Sequence, residues 1–201
     1  MQTRSTTFLP DERFAALQSA LEQRVASMCD SIAPAHFCEF LDPLMRMVFT
    51  QGIRRVGAHE GTIWLLDDEH ENLVAALNSG PCADTFVGQF KQPLSSGMIS
   101  MVCASEQPVC ENEVYQSQLH DKTLDRTLRV LTCAMIAVPL YFARQLQGVV
   151  SAVILKPADD AVPDPPGFSA ENLREVQLMT DVLTRLIDHR LLAMAVGWES
   201  R

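Results

Sequence analysis

Between Asp11 and Asp30 the apolar residues Phe14, Leu17, Leu21, Val25 and Met28 recur at steps of three and four, which predicts a helix with one buried face. The segment SIAPAH interrupts it. A second helix is expected over FLDPLMRMVFTQGIRRVG, with Asp42 as cap, Pro43 in the first turn where a missing N–H costs nothing, and Gly57 as the stop. The period then shortens to that of strands: GTIWLLD and NLVAALNSG flank the acidic turn DEHE, a hairpin signal. FVGQFKQPL is a weaker strand with mixed positions at Gln89 to Gln92, and SSGMISMVCASEQ has helical spacing in Met98, Met101 and Val102, with Ser95 or Ser96 as cap. PVCENEV reads as a short strand, and YQSQLHDKTLDRTLRV as a polar stretch with a few apolar anchors. LTCAMIAVPLYFARQLQGVVSAVILK carries the strongest strand pattern, a buried hairpin turning at ARQLQ.

PADDAVPDPPGF, with four prolines and a glycine, is a loop. Ser169 then caps a long helix whose stripe runs through Leu173, Val176, Met179, Leu183, Leu186, Ile187, Leu191 and Met194, widened by Leu178, Val182 and Leu192. At 1.5 Å per residue it is roughly 40 Å long, more than one sheet covers. The surplus apolar face calls for the N-terminal helices or a second subunit.

Composition narrows the classes. A chain of 201 residues with 47% hydrophobic content fits one domain with long flanking elements. A net charge of -9 with no basic cluster argues against nucleic-acid binding, since phosphate contacts require grouped Lys and Arg. No apolar run approaches membrane-spanning length, and MQTRSTTFLPDERF lacks a signal-peptide core, so a soluble cytoplasmic protein is expected. Cysteines 29, 38, 82, 103, 110 and 133 form no Cys-x-x-Cys pair, and histidines 36, 59, 70, 120 and 189 make no zinc spacing with them. They are read as reduced thiols, with no metal expected. SGMISMVCASEQPVCENEV poses the sharper question of whether Cys103 and Cys110 are redox partners or small core residues.

The order helix, hairpin, strand, helix, strand, irregular segment, buried hairpin, helix resembles the GAF domain family over about residues 40 to 190. The phrases carrying the likeness are GTIWLLDDEHENLVAALNSG, QPLSSGMISMVCASEQPVCENEV and CAMIAVPLYFARQLQGVVSAVIL, the last with Pro139 and Gly148. The resemblance implies an α+β, GAF-like (profilin-like) fold: an antiparallel sheet of about six strands, helices on its faces, and long N- and C-terminal helices. It implies an N-terminal helical extension over 1–33, the domain over 34–196 with its last helix from 169, and a tail over 197–201. It also implies a ligand between the sheet and a cover formed by Phe86 to Ile99 and Tyr115 to Arg129. The candidate binding residues are then Phe86, Phe90, Met98, Ile99, Tyr115, His120, Asp125, Arg129, Cys133 and Met135.

Three subtypes of the family leave marks to compare. Free methionine sulfoxide reductases carry a cysteine inside a GxxCG turn, where this chain has Met98, Ile99 and Ser100; Cys103 falls late on its helix, where the dipole disfavours a thiolate, so both thiols are read as packing. Cyclic-nucleotide-binding relatives share an acidic residue at the position of Asp125. Their Asn-Lys and Phe-x-x-x-Asp-Glu pattern is matched only by Lys156 and Phe168, with Leu155 replacing Asn and Glu171-Asn172 displaced. Asp125 and Arg129, four apart, also fit an exposed ion pair. A bilin site would need a pocket thiol, and His36 and Cys38 precede the sheet; a haem would need an axial ligand, for which His120 is the candidate. No phosphate loop, His-Glu-x-x-His or nucleophile elbow occurs. The reading is a non-catalytic small-molecule sensor or regulatory domain of unknown ligand, homodimeric through its terminal helices and passing its output to a signalling partner. The alternatives are a ligand-free dimerisation scaffold and a thiol oxidoreductase.

Overall fold

A computed structural model describes residues 12–158 and 163–198. The readings on residues 1–11, on the side chain of Phe14, on 159–162 of the proline-rich segment and on 199–201 of the tail lie outside the described residues. The elements are helices α1 (Glu12–Asp30), α2 (Phe37–Phe40) and α3 (Pro43–Arg55), strands β1 (Glu60–Leu66), β2 (Asn72–Asn78) and β3 (Lys91–Pro93), helix α4 (Met98–Ser105), strand β4 (Val109–Glu111), helix α5 (Thr123–Leu128), strands β5 (Val130–Phe142) and β6 (Gln145–Pro157), and helix α6 (Ala170–Val196). The strands form one six-stranded antiparallel sheet in the order β3-β2-β1-β6-β5-β4.

Both faces of the sheet are covered, which is why β5 and β6 read as continuous apolar runs rather than alternating ones. On one face α2, α3 and α6 pack a core that includes Phe37, Phe49, Ile63, Ile136, Val150 and Leu183. On the other, α4 and its neighbours pack against Trp64, Leu73, Met135, Val149 and Val153. Asp42 caps α3 by accepting the Met45 N–H at 2.8 Å, with Pro43 behind it. Ser169 and Asn172 cap α6 reciprocally. The β5–β6 hairpin turns through Ala143 and Arg144, both left-handed at φ 50° and 63°, the twist that two-residue hairpins favour. Asp188 on α6 accepts the Ala143 N–H at 2.7 Å and holds that turn against the helix layer.

Three expectations are corrected. The strand expected over FVGQFKQPL shrinks to Lys91–Pro93; Ala83–Thr85 is a short helical turn, and Gly88, left-handed at φ +76°, donates to the Ala75 carbonyl of β2 at 2.7 Å ahead of the regular ladder. Neither Ser95 nor Ser96 caps α4: Gly97 occupies the cap position with no side-chain bond, while the Ser96 carbonyl accepts Gln92 Nε2. The exposed Asp125–Arg129 pair does not form, because Asp125 is buried and Arg129 ends α5 in a left-handed conformation.

The turn between β1 and β2 is organised by Asp67, which accepts the N–H groups of Glu71 and Asn72 and the Asn72 side-chain amide, and faces Lys91 at 3.4 Å. Burial alone would raise this carboxyl, but those donors outweigh it and hold its pKa down to about 2. Replacing Asp67 by Ala should cost about 2 kcal/mol at pH 7. A depressed carboxylate contributes stability that is full above its unfolded value and lost as pH falls through the folded one, so the gap to wild type should narrow between pH 4 and pH 2. Urea unfolding at both ends of that window checks this; a gap independent of pH would contradict it.

Candidate functional site

Strand alternation places Glu60, Thr62 and Trp64 of β1 on the face away from α3 and α6, beside Ser151, Val153 and Leu155 of β6 and Met135 of β5. The N-terminus of α4 (Gly97, Met98, Ile99) and the segment from His120 to Val130 close over this face, with Phe90 and Gln92 at the side. Between them lies a cavity of about 60 Å³. Its walls are apolar, with Trp64 and Phe90 meeting edge to face at 6.1 Å between ring centres. Polar side chains reach it from both the sheet and the cover. The indole N–H of Trp64 donates to Ser151 Oγ at 2.9 Å, and Asn78 Nδ2 donates to Thr62 Oγ1 at 2.9 Å.

Asp125 ties the cover to the sheet. One of its oxygens accepts the Thr132 hydroxyl at 2.8 Å; the other accepts the Thr132 N–H at 2.9 Å and meets His120 Nε2 at 3.0 Å. Burial pushes this carboxyl up, but the His120 and Thr132 hydrogen bonds outweigh it and keep it below the usual carboxylate range. Asp121 accepts the Thr123 N–H and hydroxyl, which hold it low as well, and it takes a further bond from Gln92 Nε2 at 3.2 Å. Glu60 differs: it is 8% exposed, and burial pushes its carboxyl up despite Asn78 and His59 nearby.

Of the sequence candidates, the structure brings Phe90, Met98, Ile99, His120, Asp125 and Met135 to this cavity. Phe86 is buried in the same layer without lining it, and the Cys133 thiol is turned to the Leu131 carbonyl at 3.7 Å. Tyr115 and Arg129 lie outside the cover on a surface groove with Lys122 and Arg126. Tyr115 donates to Asp164 Oδ2 at 2.5 Å, beside the Lys156–Asp164 ion pair. Sequence reasoning missed Glu60, Thr62, Trp64, Gln92, Asp121 and Ser151. Their available signal was polar residues at alternate positions of otherwise apolar strands, 60 and 62 in EGTIWLL and 151 in GVVSAVIL.

Cys103 is buried on α4 and Cys110 touches the Phe168 carbonyl at 3.8 Å; burial, followed by Glu106 and Glu111 respectively, pushes both thiols up. Burial likewise raises Cys133, and raises Cys29 to about 11. Among the described residues no group of three or more His, Cys, Asp or Glu side chains is arranged to hold a metal ion, and no helix is long and apolar enough to cross a membrane.

A sequence model of the GAF domain matches residues 38–188. No curated protein gave a significant match. Among solved structures, the GAF domain of a Coxiella burnetii phosphoenolpyruvate-protein phosphotransferase superposes with a TM-score of 0.60 at 15% identity, covering 91% of this chain and 97% of that one. The GAF domain of the Acinetobacter phosphoenolpyruvate-protein phosphotransferase gives 0.57 at 17% identity, covering 91% and 98%. The second GAF domain of DevS from Mycobacterium smegmatis gives 0.52 at 20% identity, covering 79% and 100%.

Proposed function

We propose, from the premise that this chain belongs to the GAF domain family, that it is a non-catalytic sensory domain holding a small ligand in the cavity under α4 and α5. The observation that carries the reading is the cavity itself: apolar walls, converging polar side chains, and a cover tied to the sheet by Asp125 and by the Gln92–Asp121 hydrogen bond. The raised thiols support a non-catalytic role, since the thiolate is the reactive form. Screening a metabolite library by thermal shift and locating the protected segments by hydrogen exchange tests it. A ligand that raises Tm and slows exchange in α4 and α5 supports the reading; stabilising ligands that protect only other segments overturn it.

A route to an output runs through the sheet. Met135 and Val153 face the cavity while Ile136, Ala152 and Ile154, their neighbours on the same strands, pack in the layer that contains α6. A ligand that prefers one placement of β5 and β6 therefore biases the helices behind them. Leu178, Val182, Leu192 and Val196 lie on one exposed stripe of α6, with Leu44 and Met47 of α3 also exposed. This stripe supports a homodimer through the helix layer, from which the signal passes to a partner. The double variant Leu178→Glu/Val182→Glu should be monomeric where wild type is dimeric at micromolar concentration, with its far-UV circular dichroism unchanged and its Tm lowered by the loss of the bound subunit. Sedimentation equilibrium decides it, and a monomeric wild type would overturn the dimer.

A further inference from the structure

We propose, resting on the reading of the cavity as a ligand site, that its ligand is a small organic cation: an ammonium group paired with Glu60 on a short apolar body packed against Trp64, Phe90, Met98 and Met135.

Glu60 is more than nine-tenths buried, lines the cavity, and makes no ion pair among the described residues; the Asn78 amide is its hydrogen-bonding neighbour. Neither neighbour is a dedicated cation: Asn78 shares its amide between Glu60 and Thr62, and His59 Nδ1 accepts the Leu155 N–H at 2.9 Å. Gly80 leaves the gap in which the carboxylate sits, since a Cβ there would fall 1.8 Å from Glu60 Oε2. A buried carboxylate with no charged partner is costly, and a charged donor is the partner that recovers most of that cost.

The rest of the lining points the same way. Asp121 and Asp125 add negative charge but already have donors, and no Lys or Arg lines the cavity. Such a site repels a phosphate or carboxylate and leaves a cyclic nucleotide nothing to hold its anion. The aromatic faces of Trp64 and Phe90 add attraction for a cation. Size sets the class further, because a space of about 60 Å³ corresponds to roughly four to six waters, hence a ligand of about that many heavy atoms.

The test uses three probes of matched size, n-butylammonium, 1-butanol and butyrate, titrated at pH 7 into the full chain carrying Trp198→Phe so that Trp64 alone reports. Butylammonium should bind at least tenfold more tightly than 1-butanol, with butyrate weaker still. Glu60→Gln should erase that preference, bringing butylammonium to no more than the affinity of 1-butanol for the same variant, and should melt higher than its parent at pH 7, since folding there works against a buried charge with no cationic partner. If 1-butanol or butyrate binds as well as butylammonium, or the preference survives Glu60→Gln, the cation assignment is wrong while the cavity remains a ligand site. If no probe changes Trp64 emission or the methyl resonances of Met98 and Met135, the ligand-site reading falls with it.

Discussion

Gly148→Ala should lose about 3 kcal/mol or more of stability, the largest effect of any single methyl group added to this chain. Overpacking a core usually costs about 1–3 kcal/mol because side chains can shift. Here they cannot help, since a Cβ at Gly148 would lie 1.8 Å from the Trp64 carbonyl oxygen and 2.9 Å from Leu65 Cα, both backbone. Relief requires β1 and β6 to separate in the middle of the sheet, where Gly148 pairs with Leu65 on one side and Leu140 on the other. For a chain of this size the loss corresponds to roughly 6–12 °C in Tm. Urea unfolding with Trp64 fluorescence measures it, and a change under 1 kcal/mol would mean that β1 does not approach β6 this closely.

Asp125→Ala is expected to cost about 3 kcal/mol, because it strips the Thr132 N–H and hydroxyl and the His120 ring of their shared acceptor inside the cover. The loss should be local as well as global: hydrogen exchange should speed up in α5 and the start of β5 while α3 and α6 keep their protection. The sign with pH follows from a carboxyl held below its usual value. Its contribution is complete above the unfolded pKa and disappears as pH falls through the folded one, so wild type and variant should converge in acid. Uniform acceleration across all elements would show that Asp125 is not a tie between cover and sheet.

Much of this architecture is legible in one dimension because its devices are local. Asp42 and Ser169 announce helix starts within three residues of the N–H groups they accept, and the stripes of α3 and α6 are visible as periods. The Cys133-to-Leu155 run shows a doubly covered hairpin by having no polar face. What stays hidden is cross-strand. Thr62 faces Ser151 and Glu60 faces Val153 only after strands far apart in sequence pair in one register. Glu60 also stands one residue before the run GTIWLLD, where its charge makes it look like a turn residue. Arg129 and Tyr115 sit outside the cavity because the short turn of α5 points Asp125 inward, a rotation that a polar stretch with few apolar anchors does not reveal.

The sheet's two margins, β3 and β4, are each three residues long. An edge that brief offers an incoming strand only a few free carbonyls and N–H groups, too few to template a continuing ladder. Strand addition at either margin is therefore disfavoured, and β1 and β6 are paired on both sides. Crowding can then bring copies together with little tendency to extend the sheet into a polymer.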